Sequence, residues 1–480
     1  MTSLPSGGGN SHQNNVRARL WWGIVAGAVL MTLIALVWPR AERFSGRANS
    51  PDAAMAGRHS GSAAQLPMAL RRFGAARTRV PAKSAEEIVA EKVRRFGRSR
   101  RAMVDRIALR RNEGLPPEVD AFFKAIDKGD WDEIHRLWKE LASHAHQYEG
   151  TKDDRPDLEP YWASVLDAYG VAEQAHEWPA QKLLDYGNAI LDSLRPGMVY
   201  VGGTDFGRWV PELVNESSGD PHMIITQNAL ADSSYLDFVS ELYGEQFNVL
   251  SKEDSQRAFE AYSADAQKRL QHDLDFPDEP KQVLPGENIK MVDGKVQFSG
   301  QAAVMAINEK LLQMIMEKNP ELSFATEESF PLRGTYADAL PFGPLMELNA
   351  QGGENSFTSD RAAQSVDYWR SATQALLADS EVTGSSYALR AYAHDVSAAA
   401  NLLAAHNFTA EAEEVYQLAS QILPGDPEPV KGLARVLIQA GHSDQARAVL
   451  DAFAGKYPDQ AAAIQQASST ILWTTSLVGR

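Results

Sequence analysis

Residues 200–214 read YVGGTDFGRWVPELV. A short apolar run meets a Gly pair, and Thr204, Asp205 and Arg208 then lead into a helical pattern. Residues 222–230, HMIITQNAL, repeat the arrangement: an apolar run ends in Thr226, Gln227 and Asn228, with Asp232 just beyond. In parallel α/β layers, ligands sit beyond the carboxyl ends of the strands. If these two strands are neighbours, the polar side chains converge on one crevice. Amides, carboxylates and a guanidinium, with Trp209 nearby, suit a sugar or another hydroxyl-rich ligand. The same residues also have a structural reading. Asp205 caps the helix starting at Phe206, Asn228 closes a turn, and Asp232 caps the helix carrying Tyr235.

Other chemistries find little support. The chain has no cysteine, which excludes disulfides, thiolate metal sites and a Cys nucleophile. It has no His-Glu-x-x-His, and His144 and His146, two apart on a helix, point to different faces. The GGTDFG turn lacks the Lys-Ser/Thr of a phosphate loop and the spacing of a dinucleotide fingerprint, and Asp205 would oppose a phosphate. Glu327, Glu328 and Ser329 follow a strand pattern, but neighbouring strand residues face opposite ways, so the two carboxylates do not form an acid/base pair by themselves. No cofactor and no metal are expected.

The elements that position these residues follow a basic arm. Through Arg111 the chain carries 20 Lys and Arg against 6 Asp and Glu; beyond it the balance is 27 against 57. So acidic a body repels phosphate backbones, and nucleic acid is not an expected partner. Residues 20–38, from Leu20 to Trp38, are uncharged, with Trp21, Trp22 and Trp38 at the ends. That length reaches about 30 Å, one hydrocarbon core, with interfacial aromatics. A cleavable signal would have a shorter apolar core and a small-x-small site, which VWPRAERF lacks. The reading is an uncleaved single-pass anchor in the inner (cytoplasmic) membrane, with the body extracytoplasmic and the bilayer as a partner. Residues 41–84 read as a tether rich in Arg, Ala, Gly, Ser and Pro. Residues 86–111 form an Arg-rich helix that either meets lipid headgroups or is a solvated linker.

The body opens with helices. Phe122, Phe123 and Ile126, then Trp131, Ile134, Leu137, Trp138 and Leu141 after Gly129, mark one apolar face on each of two helices. Helical patterns continue at 161–169 and 179–194. From Gly197, strands and helices alternate, which predicts a parallel-type α/β layer. Pro211 is placed in the first turn of its helix. Ser251 and Asp254 stand in capping-box positions, Asp293-Gly294 suits a hairpin turn, residues 301–318 form an amphipathic helix, and LSFATEESF and PLMELNA are closing strands.

The last part is periodic. Val396 and Val430, Leu403 and Leu437, Ala412 and Ala446, and Pro424 and Pro458 are each 34 residues apart. Residues 392–460 resemble the tetratricopeptide repeat family, whose period is 34. Departures are Val396 and Val430 at the consensus Trp and Asn407 in place of a turn Gly, which Gly441 keeps. Two repeats bury little, so a degenerate third unit before them is expected. A second resemblance covers residues 197–349. GGTDFGRWVPELV, MIITQNALADSSYLDFVSELYG and EESFPL together look like the soluble region of bacterial protein O-mannosyltransferase-like membrane glycosyltransferases and of repeat-bearing relatives. That family's catalytic site lies among many membrane segments, so transferase activity does not carry over; the resemblance implies an extracytoplasmic accessory or recognition domain, with Asp205 as its one matching acidic position.

The expected architecture is therefore an α/β central domain with a helical N-terminal region, an α-helical tetratricopeptide-like C-terminal segment and one transmembrane helix. The divisions are 1–19 tail, 20–38 span, 39–111 tether, 112–196 helical region, 197–350 α/β domain, 351–391 linker and 392–480 repeats. The expected function is non-catalytic: a membrane-anchored scaffold whose repeats bind a protein partner in an envelope or glycan-related complex. The alternative is an enzyme or sugar-type receptor using the crevice.

Overall fold

A computed structural model of the chain describes residues 83–144, 155–203, 206–216, 218–219, 221–284, 286–292, 295–327, 334, 336–348, 356–462 and 464. The expected membrane span, the tail and the tether up to residue 82 lie outside them, as do Thr204, Asp205, His146, the Asp293-Gly294 turn, Glu328 and Ser329. Among the described residues no helix is long and apolar enough to cross a membrane.

The arginine-rich segment is one long helix, α1 (Ala85–Arg111). Ser84 Oγ accepts from Glu87 N–H, and the Glu87 carboxylate accepts from Ser84 N–H. Acidic residues occupy the first turn and Arg110 and Arg111 the last, which matches the helix dipole. The helix is not a solvated linker, because one of its faces is packed into the body. Val89, Val93, Phe96, Arg100, Met103 and Val104 are buried, so the body begins at α1 rather than after Arg111. At Gly97 a side chain would meet Ile126 Cγ2 at 2.4 Å, which shows how closely α1 crosses the helix that follows it.

Four further helices complete the N-terminal layer: α2 (Pro117–Lys128), α3 (Trp131–Ala142), α4 (Glu159–Glu177) and α5 (Ala180–Ser193). Gly129 ends α2 at φ 71°, as its sequence position suggests. Trp138 stacks on Tyr169 at 4.2 Å with 5° between planes, locking α3 to α4.

The sheet that follows runs β2-β1-β5-β7-β6: β1 (Val199–Gly202), β2 (Ile224–Thr226), β5 (Phe324–Thr326), β6 (Leu340–Phe342) and β7 (Leu345–Leu348). β1 pairs in parallel with β2 and β5, while β7 is antiparallel to both β5 and β6. The layer is thus mixed rather than parallel, because the last two strands form a tight hairpin. β3 (Asn288–Val292) and β4 (Lys295–Ser299) make a separate hairpin. Alternation sorts the side chains. Tyr200, Ile224, Ala325 and Leu345 join the core formed with the N-terminal helices and α6 (Phe206–Asn215). Val199, Val201, Ile225, Phe324 and Met346 join the core of α7 (Ser233–Tyr243), α8 (Lys252–Asp275) and α9 (Gln301–Lys318).

The remaining helices are α10 (Ser359–Leu377), α11 (Ser380–Thr383), α12 (Ser386–Ala405), α13 (Thr409–Ile422), α14 (Pro427–Gln439) and α15 (Ser443–Lys456). Ala362, Val366 and Trp369 of α10 share a core with α12 through α15, so the stretch assigned to a linker supplies the extra unit that two repeats need.

The capping box at α8 is complete: Ser251 Oγ accepts from Asp254 N–H and the Asp254 carboxylate from Ser251 N–H. Lys318 and Arg257 also pair with Asp254. Burial works to raise this carboxyl, yet the Lys318 ammonium and the Ser251 amide win and hold it at about 2. A folded value below the unfolded one (near 3.9) stabilises above about pH 4, and the contribution is lost as pH falls through about 2. Asp254→Asn is expected to cost about 2 kcal/mol at pH 7. Thermal melts across pH should show the gap to the native chain closing between about pH 4 and pH 2.

Candidate functional site

The opening stretch has a specific local chemistry. Pro211 lies inside α6 rather than in its first turn, so the Gly207 carbonyl has no helical N–H to bind. The hydroxyl of Tyr200, fully buried on β1, donates to that carbonyl. A side chain at Gly202 would meet the same oxygen at 2.5 Å, which explains the first Gly of the pair. The second, Gly203, donates its N–H to Glu327 Oε2 at 3.3 Å. A side chain at Gly207 would lie 2.0 Å from that same carboxylate oxygen. The glycines thus clear room for Glu327.

Glu327 follows β5. Its N–H donates to Val201 O at 3.2 Å and its side chain is buried at the carboxyl end of the parallel strands. Helix α12 crosses this end and brings His394 and Asp395. His394 Nδ1 lies 2.8 Å from Glu327 Oε1 and 3.7 Å from Asp395 Oδ1. Tyr186 of α5 donates to Asp395 Oδ1 at 3.4 Å, and Phe206 packs edge-on to the His394 ring at 5.6 Å.

Electrostatics here is set by low polarity and opposed charges. Burial pushes His394 down, but the Glu327 carboxylate, with Asp395 behind it, leaves the imidazole well above its ordinary value. Burial raises the Asp395 carboxyl to about 7, against the pull of His394. Burial and then the neighbouring carboxylates push Tyr186 and Tyr200 up as well. One imidazole and two carboxylates, with donor atoms all within 4.8 Å of one another, form a set that can pass a proton or hold a cation.

The sequence-derived residues fall elsewhere. β1 and β2 are neighbours, with Gly202 opposite Thr226, as the crevice reading requires. Arg208, however, is buried among charges: Nη2 donates to Asp167 Oδ1 at 2.6 Å and Nε to Glu212 Oε1 at 3.0 Å. Arg100 of α1 binds the other Asp167 oxygen at 2.5 Å. Burial would raise Asp167, but Arg208 and Arg100 hold it down; burial and the Asp167 charge drive Glu212 well above the usual carboxylate range. Thr226 N–H donates to the Tyr235 hydroxyl at 2.7 Å, and Asn228 O accepts from Asn308 Nδ2 at 3.3 Å, tying the end of β2 to α7 and α9. Gln227 is buried beside them. Asp232 accepts from Ser234 N–H at 2.8 Å and caps α7. Among the residues around Glu327, His394, Asp395 and Tyr186 escaped the sequence reading. The available signal was a His-Asp pair inside the Ala-rich AYAHDVSAAA, where Asp395 falls on a buried position.

The repeats show their own local logic. Ala412 and Ala446 are fully buried, where small side chains let helices approach. Gly441 turns at φ 84°, and Asn407, 34 residues earlier, does the same at φ 65°. Asn tolerates this left-handed region better than other side-chain-bearing residues, so the departure from Gly preserves the turn. Residues 402–469 match the tetratricopeptide repeat family. No curated protein and no solved structure matches the chain, so the likeness of residues 197–349 to membrane glycosyltransferases rests on the quoted motifs alone. Tetratricopeptide repeats bind proteins, and a protein-interaction role follows for this segment in general terms.

Removing Arg208 would strand Asp167 and Glu212 in the interior with only Arg100 to oppose them. Arg208→Ala is expected to cost about 3–5 kcal/mol, read as a lower urea midpoint. A crevice-facing, ligand-binding arginine would leave that midpoint nearly unchanged.

Proposed function

We propose that this protein is a scaffold whose C-terminal repeats hold an extended segment of a protein partner. The chain is tethered by residues 20–38 in the inner membrane, with an extracytoplasmic body, and serves a cell-envelope or glycan-related assembly. The observation that carries this reading is the 34-residue helix-pair period within the matched residues 402–469. In such solenoids the first helix of each pair lines the partner groove. The first helix of the first pair, α12, already lies against the sheet, with Ala398 and Leu402 in the second core. Partner contact therefore falls to α14, where Lys431 and Arg435 retain partial exposure. Deleting the whole repeat segment would be a poor test, because α12 is part of the body's own core.

The point substitutions Lys431→Glu and Arg435→Glu together are the better one. They should weaken partner co-purification from solubilised membranes by about tenfold, a loss of about 1.4 kcal/mol, while leaving the melting temperature in place. Unchanged capture would remove α14 as the binding helix.

A second reading is supported by one observation: Glu327, His394 and Asp395 gather at the carboxyl ends of the parallel strands, where α/β layers bind small ligands. In that case the protein is a receptor or enzyme for a hydroxyl-rich ligand. A thermal-shift response to sugars or nucleotide sugars that disappears in Glu327→Gln would support it.

A further inference from the structure

We propose that Glu327, His394 and Asp395 form a divalent-cation site that pins the first repeat helix, α12, to the carboxyl edge of the sheet. Such a site is independent of partner binding at α14, which shares none of these residues.

Four features carry it. The first is the donor set: an imidazole nitrogen and two carboxylates from separate elements, their ligand atoms within 4.8 Å of one another. The 2.8 Å and 3.7 Å from His394 Nδ1 bracket the roughly 3–3.5 Å that separates ligands on a common ion with bonds near 2.1 Å. The second is a cavity of about 10 Å³ beside the donor set, lined by Glu327 and Asp395 but not by His394, with Thr326, Ser365 and Trp369 on its walls. That is room for one water-sized occupant.

The third feature is the orientation of the carboxylates. Gly203 N–H binds Glu327 Oε2, while Glu327 Oε1, on a side chain 2% exposed, faces His394 Nδ1 at 2.8 Å, the contact that an ion would replace. The Tyr186 hydroxyl donates to Asp395 Oδ1, the oxygen nearest His394, and fixes that carboxylate. Fixed outer partners that orient the ligand atoms inward are the usual support of a metal site. The fourth is charge. Two buried carboxylates face a single imidazole, and a divalent ion balances them where water cannot. His394, with 30% of its side chain exposed, gives the ion a route in and leaves a position for water. One nitrogen among oxygens favours zinc or manganese over calcium or magnesium.

The test uses the purified full chain in detergent, stripped with EDTA and dialysed against Zn²⁺ or Mn²⁺. The native chain should retain about one ion per chain and melt at a higher temperature when loaded. Glu327→Gln and His394→Gln should each lose the ion and the shift. Calcium should give neither. Should either variant fail to fold, the native chain still decides: bound Mn²⁺ should show coupling to one imidazole nitrogen by pulsed electron paramagnetic resonance. A folded native chain that retains no ion, folded variants that retain it unchanged, or manganese without nitrogen coupling would each overturn the site.

Discussion

Helix α12 is asked to satisfy three cores at once, and most of the architecture follows from that constraint. Ala388 and Ala391 belong to the core of the N-terminal helices, Ala398 and Leu402 to the core beneath the second sheet face, and Ala393, Val396, Ala400 and Leu403 to the repeats. A helix buried on three sides keeps only a narrow polar stripe, Arg390, His394, Ser397 and Asn401, and cannot carry large side chains everywhere. Alanine at so many positions lets neighbouring backbones approach while keeping helix propensity high. The repeats are therefore not an appendage on a flexible joint. Their first helix is a wall of the α/β body.

Two groups of buried charge mark the body, and they differ in kind. Around Asp167, two arginines oppose two carboxylates, every contact is within the N-terminal layer and α6, and the group joins α1 to the sheet's helical cover. Glu216 adds a partly exposed contact to Arg100 at 3.4 Å. Such a network gains little over apolar packing yet makes losing any one member costly, which fixes the relative placement of α1, α4 and α6. Around Glu327, two carboxylates face a single imidazole, and the group joins the end of β5 to α12. The first is closed, with both arginines paired to Asp167. The second needs a cation or protons, and a cavity adjoins it. Closed charge reads as architecture, whereas unbalanced charge at a strand end reads as a site.

Glycine and proline link the two levels. Pro211 removes a donor inside α6, Tyr200 replaces it, and Gly202 and Gly207 keep the gap narrow enough for Glu327 to reach Gly203. A motif that looked like a ligand loop thus has a demonstrable structural role, holding a carboxylate contributed from more than a hundred residues away.

Local physics was legible in the sequence. Helix α9 spans the residues its periodicity marked, the capping box at Ser251 and Asp254 closed, and β5 and β7 lie where the apolar runs placed them. The 34-residue period located the repeats, because each pair buries the same face against the next. Asp232 capped its helix through contacts within two residues. Tertiary structure alone decided the burial of α1, since an arginine-rich stripe reads as solvated until Asp167 is placed opposite Arg100. It also decided the fate of Arg208, drawn inward by the same carboxylate. The meeting of Glu327 with His394 was invisible for a plain reason. Caps and periods are set by neighbours within a few residues, whereas this contact depends on how a repeat helix packs across the end of a sheet, and no local spacing encodes that crossing.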